Sequence, residues 1–99
     1  MTHEEMNVDL ENARSYLSCT RLTVDRCRHE SVTESSLWIF DGDKQIASCT
    51  RLETPYERGG MPIRWRACTM HGSGTVANGV YVSTLLDALG HIMRCTKDT

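Results

Sequence analysis

Nowhere does this sequence offer an apolar run able to cross a bilayer. The longest stretch without a charged or histidine side chain, Gly72 to Leu86, includes three glycines, an asparagine and several hydroxyl residues. That is far from the roughly 20 apolar residues of a spanning helix. The start, Met1-Thr2-His3-Glu4-Glu5, is acidic where a signal peptide is basic, and no apolar segment follows it; the expected location is cytoplasmic. Lysine is scarce, at Lys44 and Lys97 only, and the formal charge is −2, so no global positive field holds a polyanion and a nucleic-acid contact would need a local basic patch. Also missing are Cys-x-x-Cys pairs, a Gly-x-Ser-x-Gly elbow and a Walker loop, the strong signatures of structural zinc, serine hydrolysis and phosphate cradling.

What is present fits a single compact domain over residues 1–99, because a chain of this length supports one core. Hydrophobic content of 39% and charged content of 24% are ordinary globular values and exclude wholesale disorder. Five cysteines, Cys19, Cys27, Cys49, Cys68 and Cys95, form an odd set with no export signal, which points to reduced thiols.

Hydrophobic period divides the chain into elements. Thr2 and Glu5 form a capping box, and Met6, Leu10, Ala13 and Leu17 then share one face of a helix over residues 3–17. From Ser18 the period changes to two, with Thr20, Leu22 and Val24 on one side of a strand. His29 to Ser36 is polar and reads as a loop. Asp41-Gly42-Asp43-Lys44 between Leu37–Phe40 and Gln45–Cys49 is a hairpin signal. Pro55, Gly59, Gly60 and Pro62 mark residues 53–62 as a loop or hairpin connection. Ile63, Trp65 and Ala67 alternate with Arg64, Arg66 and Cys68 in a further strand. Val82, Leu85, Leu86, Leu89, Ile92 and Met93 line a closing helix that starts between Thr75 and Ser83.

The expected fold class is α+β: an antiparallel sheet of about four strands flanked by an N-terminal and a C-terminal helix, in the order α-β-β-β-β-α. This order resembles the αβββα arrangement of double-stranded-RNA-binding domains in topology. The segment opening the second helix, Thr75-Val76-Ala77-Asn78-Gly79, lacks the lysine cluster by which that family grips phosphates. Ser18-Cys19-Thr20-Arg21-Leu22 recurs as Ser48-Cys49-Thr50-Arg51-Leu52, but the spacing of like elements does not make a repeat architecture.

Several constellations could carry chemistry. Cys27-x-His29, Cys68-x-x-His71 and His91-x-x-x-Cys95 each place a thiol near an imidazole, the sharpest hint of a zinc or thiol-dependent protein. The blander reading is that these are packed or surface residues, since buried Cys behaves as a small hydrophobe. His71-Gly72-Ser73-Gly74-Thr75 could form an anion-binding nest, though a plain turn suffices. Arg51, Arg58, Arg64 and Arg66 are the candidate partner-binding residues, because Arg64 and Arg66 project from one side of a strand and the arginine fork suits carboxylates and phosphates. Against this stands an ordinary solvated face. Trp38 and Phe40 share a strand face opposite Leu37 and Ile39, so one face is open or both are covered.

With no catalytic residues, metal or cofactor singled out, the expected function is a small intracellular non-enzymatic protein-binding domain whose partner has an acidic surface. Phage and mobile-element inhibitors of host defence complexes, including those that block CRISPR–Cas, are of this size and kind, an analogy of class. The alternatives are a nucleic-acid-binding or regulatory module on the basic sheet face, and a small zinc or thiol protein.

Overall fold

A computed structural model of the protein describes residues 3–26, 35–70 and 79–97. The first helix, α1 (His3–Leu17), leads through a short turn into β1 (Leu22–Arg26). Thr20 closes the helix end: its hydroxyl donates to the Leu17 carbonyl at 2.8 Å and accepts from the Leu22 N–H at 3.1 Å, which satisfies backbone groups a helix end otherwise orphans. Strands β2 (Ser35–Asp41), β3 (Lys44–Arg58), β4 (Met61–Thr69) and β5 (Val80–Val82) follow, and α2 (Leu85–Lys97) ends the described chain. The strands form one antiparallel meander in the order β1-β2-β3-β4-β5.

The α+β class is as expected, with five strands in place of about four. The additional strand, β5, pairs Val80–Val82 with Trp65–Ala67 of β4, so α2 starts at Leu85, later than the range expected for it. Thr84 caps it, its hydroxyl accepting from the Asp87 N–H at 3.1 Å. Residues 53–62, expected as a loop or hairpin connection, are the hairpin: they continue β3 and open β4. Gly59 and Gly60, at φ 57° and 81°, form the two-residue turn between them, with the positive φ pair of a type I′ hairpin. Pro55 falls in the register shift between Arg51 and Tyr56, where no regular ladder bond is lost. The other hairpin turns on Gly42 at φ 65°, with the φ signs of type II′. Of the expected 29–36 loop, Ser35 and Ser36 belong to β2; the rest lies outside the described residues.

Both helices cover the same side of the sheet. Leu10, Ala13 and Leu17 of α1 and Leu85, Ala88, Leu89 and Ile92 of α2 are buried against Leu22, Val24, Leu37, Ile39, Ala47, Cys49, Trp65 and Ala67. Ile46 is the extra residue of a bulge between the pairs Ile39–Ala47 and Phe40–Gln45; it packs against this core though only partly buried. The repeated Ser-Cys-Thr-Arg-Leu segments occupy unlike settings, one between α1 and β1 and the other inside β3.

Gly90 lies inside α2, where glycine costs helix stability relative to alanine. A Cβ built there meets Arg94 Nη1 at 3.5 Å and the Tyr16 hydroxyl at 3.7 Å, ordinary contact distances. Gly90→Ala is therefore expected to raise the unfolding free energy by about 0.4–1 kcal/mol in urea titration. A destabilised variant would show that α1 and α2 approach more closely than these distances indicate.

Candidate binding surface

The sheet side away from the helices is built by strand alternation. In one cross-strand row Asp25, Trp38, Ser48 and Cys68 stand side by side, and in the next Ser36, Thr50, Arg66 and Tyr81. Leu37 and Ile39 are fully buried in the core while Trp38 and Phe40 are half-buried on the opposite side, so the aromatic face of β2 is the one the helices leave uncovered. Ser36 and Thr50 are buried and joined by a 2.9 Å hydroxyl–hydroxyl hydrogen bond, which satisfies both at a polar centre of the face.

The four candidate arginines separate. Arg51 registers with Trp65 and shares the helix side with Ala47 and Cys49, so it does not join Arg64 and Arg66. Its guanidinium meets Asp9 of α1 at 3.4 Å, tying helix to sheet. Arg64 is exposed and Arg66 half-buried on the far side of β4, opposite the buried Ile63, Trp65 and Ala67. Arg66 holds Nε–H buried with no acceptor among the described residues, and its methylenes lie under Gly79, where a Cβ would come within 3.0 Å of them. Arg58 is exposed at the end of β3.

Residues 53–62 are exposed throughout and form a two-stranded arm. β2 stops pairing with β3 at Arg51, and β5 pairs with β4 only from Trp65 onward. Exposed Tyr56 and Met61 lie on this arm, and exposed Tyr81 beside it. The Tyr56 and Tyr81 rings are 6.4 Å apart at 58°, and Arg58 stands 5.9 Å over the Tyr56 ring while donating to its hydroxyl at 3.2 Å. Tilted ring pairs and cation–π contacts at these distances are attractive. Tyr56 and Met61 escaped the sequence reading. The Gly-Gly pair was their signal, because a two-residue turn makes its flanks strands that display side chains.

The prolines limit how the arm can be used. Arg58 and Met61 flank the turn and form the hydrogen-bonded pair of a two-residue hairpin, so the backbone groups of the next pair, Glu57 and Pro62, point outward. The outer edge of β4 thus lacks one N–H, which hinders strand addition.

Thiol chemistry is dispersed. Among the described residues Cys19 is exposed, Cys49 and Cys68 are buried and Cys95 is intermediate, all as free thiols. Burial pushes the Cys49 thiol from its ordinary 9.0 up to about 12, with nearby Cys68 adding to the rise. Cys95 Sγ lies 3.5 Å from His91 Nε2. No group of three or more His, Cys, Asp or Glu gathers among the described residues. Cys27, His29, and the His71–Thr75 turn with its nest lie outside them.

Among the described residues no helix is long and apolar enough to cross a membrane. No family model, curated protein or solved structure matches the chain.

Proposed function

We propose that this protein is a small, non-enzymatic cytoplasmic binding domain that engages an acidic protein surface through the β3–β4 arm and the adjoining arginine-bearing sheet face. The observation that carries this reading is the exposed arm itself, presenting Tyr56, Arg58 and Met61. Tyrosine, methionine and arginine are enriched at interface cores. Stacking among Arg58, Tyr56 and Tyr81 restrains these side chains before contact, which lowers the ordering cost of association. Proline at the arm edge favours side-chain contact over strand addition. The specific form of the proposal is an inhibitor of a host defence complex, of the kind carried by phages and mobile elements; its support is similarity of size and kind.

Arg58→Glu/Arg64→Glu tests the surface with both changes at exposed positions, whereas reversing Arg66 would also disturb a half-buried side chain packed under Gly79. In affinity capture from the natural host, the wild-type chain should retain an acidic protein, and the folded double variant should bind it about tenfold more weakly or worse, a loss of at least roughly 1.4 kcal/mol. Equal retention by both proteins excludes the arm. Capture that is abolished by nuclease and falls steeply with salt favours the nucleic-acid reading, in which Tyr56 and Tyr81 would stack on bases.

A further inference from the structure

We propose that His91 and Cys95 form a bidentate site for a soft divalent cation of the Zn²⁺ class on the flank of α2. This inference is independent of the arm and needs no enzymatic role. The two residues are one helical turn apart, which places their side chains together on one face. Cys95 Sγ and His91 Nε2 are 3.5 Å apart. A tetrahedral zinc with Zn–S of about 2.3 Å and Zn–N of about 2.0–2.1 Å requires its sulfur and nitrogen ligands to be separated by roughly 3.6 Å. The Sγ–Nε2 separation therefore already matches that of a tetrahedral zinc ligand pair.

Both side chains are only partly buried, so a cation can enter from solvent. The donor set is one sulfur and one imidazole nitrogen, which selects Zn²⁺, Co²⁺ or Cd²⁺ over Mg²⁺ or Ca²⁺. The pair lies toward the C-terminal end of α2 (Leu85–Lys97), where the helix dipole favours positive charge. The neighbouring cation, Arg94, has its Nη1 near the position a Gly90 Cβ would take, beside the Tyr16 hydroxyl, on the α1 flank of the helix. On binding, the Cys95 S–H bond breaks and its proton leaves to solvent. The thiolate and the neutral His91 Nε2 each donate a lone pair to the ion, with no change of oxidation state. Two tetrahedral positions remain for water or for a donor from another molecule.

Titration of the full chain with Co²⁺ under reducing conditions reads this site through thiolate-to-cobalt charge-transfer absorption. The absorption should saturate, decline on addition of Zn²⁺, vanish in Cys95→Ser and persist in Cys19→Ser. Losing an outer-shell partner already costs metal affinity 10–100-fold, so His91→Gln should weaken Co²⁺ binding by at least about tenfold. A second measurement uses the unmutated protein: on Zn²⁺ addition the ¹⁵N resonance of His91 Nε2 should shift as that of a metal-bound nitrogen. Absence of the absorption, its survival in folded Cys95→Ser, full affinity in folded His91→Gln, or an unmoved His91 Nε2 resonance would each overturn the proposal.

Discussion

Replacing Leu89 with alanine is expected to lower the unfolding free energy by about 2–5 kcal/mol. Leu89 is only 1% exposed and belongs to the buried cluster joining α2 to the sheet. Ala13, Ala47, Ala67 and Ala88 are all fully buried in the same cluster. Alanines bring the two layers close but carry no rotatable bulk that could swing into a void, so the cavity left by Leu89 would collapse poorly and the cost should fall in the upper half of the range. The surface ion pairs would not compensate. Arg14–Glu11 and Arg21–Asp41 involve side chains that are 50%/73% and 72%/37% exposed, and such surface pairs contribute about 0–1 kcal/mol each. Urea unfolding monitored by tryptophan fluorescence measures the effect, with Trp65 buried in the same cluster. A loss below about 0.5 kcal/mol would mean that the buried face of α2 has been misassigned.

Where local pattern and tertiary packing agree, the sequence was enough. The residue 3–17 periodicity corresponds to α1, and Asp-Gly between apolar runs corresponds to the β2–β3 turn at Gly42. The arm was expected as a loop or hairpin connection, and no local signal chose between the two because proline and glycine interrupt regular structure in most settings. Their edge and turn positions make them compatible with strands, and that depends on pairing partners no local window contains. β5 is a further case: the three residues Val80–Val82 are held by the free edge of β4, not by a periodicity of their own. Arg51 could have been placed from parity, since Ala47, Cys49 and Arg51 alternate onto one side of β3 and the first two are apolar. What parity could not supply was Asp9, the α1 partner that accepts its charge. The His91–Cys95 spacing was legible; the 3.5 Å separation of the two side chains came only with the helix.

The Cys49 thiol should make the protein lose stability in alkali by a route that a single substitution removes. Cys49 is fully buried, and desolvation, followed by the nearby Cys68, pushes its pKa from 9.0 to about 12. Below pH 9.0 the folded and unfolded chains both hold this proton, and the contribution of the buried neutral thiol is intact. As pH rises above that value the unfolded thiol ionises while the folded one does not. The unfolded state then binds fewer protons, and stability falls by about 1.4 kcal/mol per pH unit, to at most about 4 kcal/mol near the folded pKa. Lysine, tyrosine and the other cysteines titrate in the same range, so the informative quantity is the stability difference between wild type and Cys49→Ala, in which their contributions largely cancel. Urea unfolding under reducing conditions should show wild type losing about 2 kcal/mol relative to Cys49→Ala between about pH 8.5 and about pH 10.5. The sign is fixed by the direction of the shift: a thiol held below its ordinary value would make wild type gain on the variant over the same interval. A difference that stays constant would mean that the Cys49 thiol ionises as readily in the folded protein as in the unfolded chain, and that solvent reaches the middle of β3.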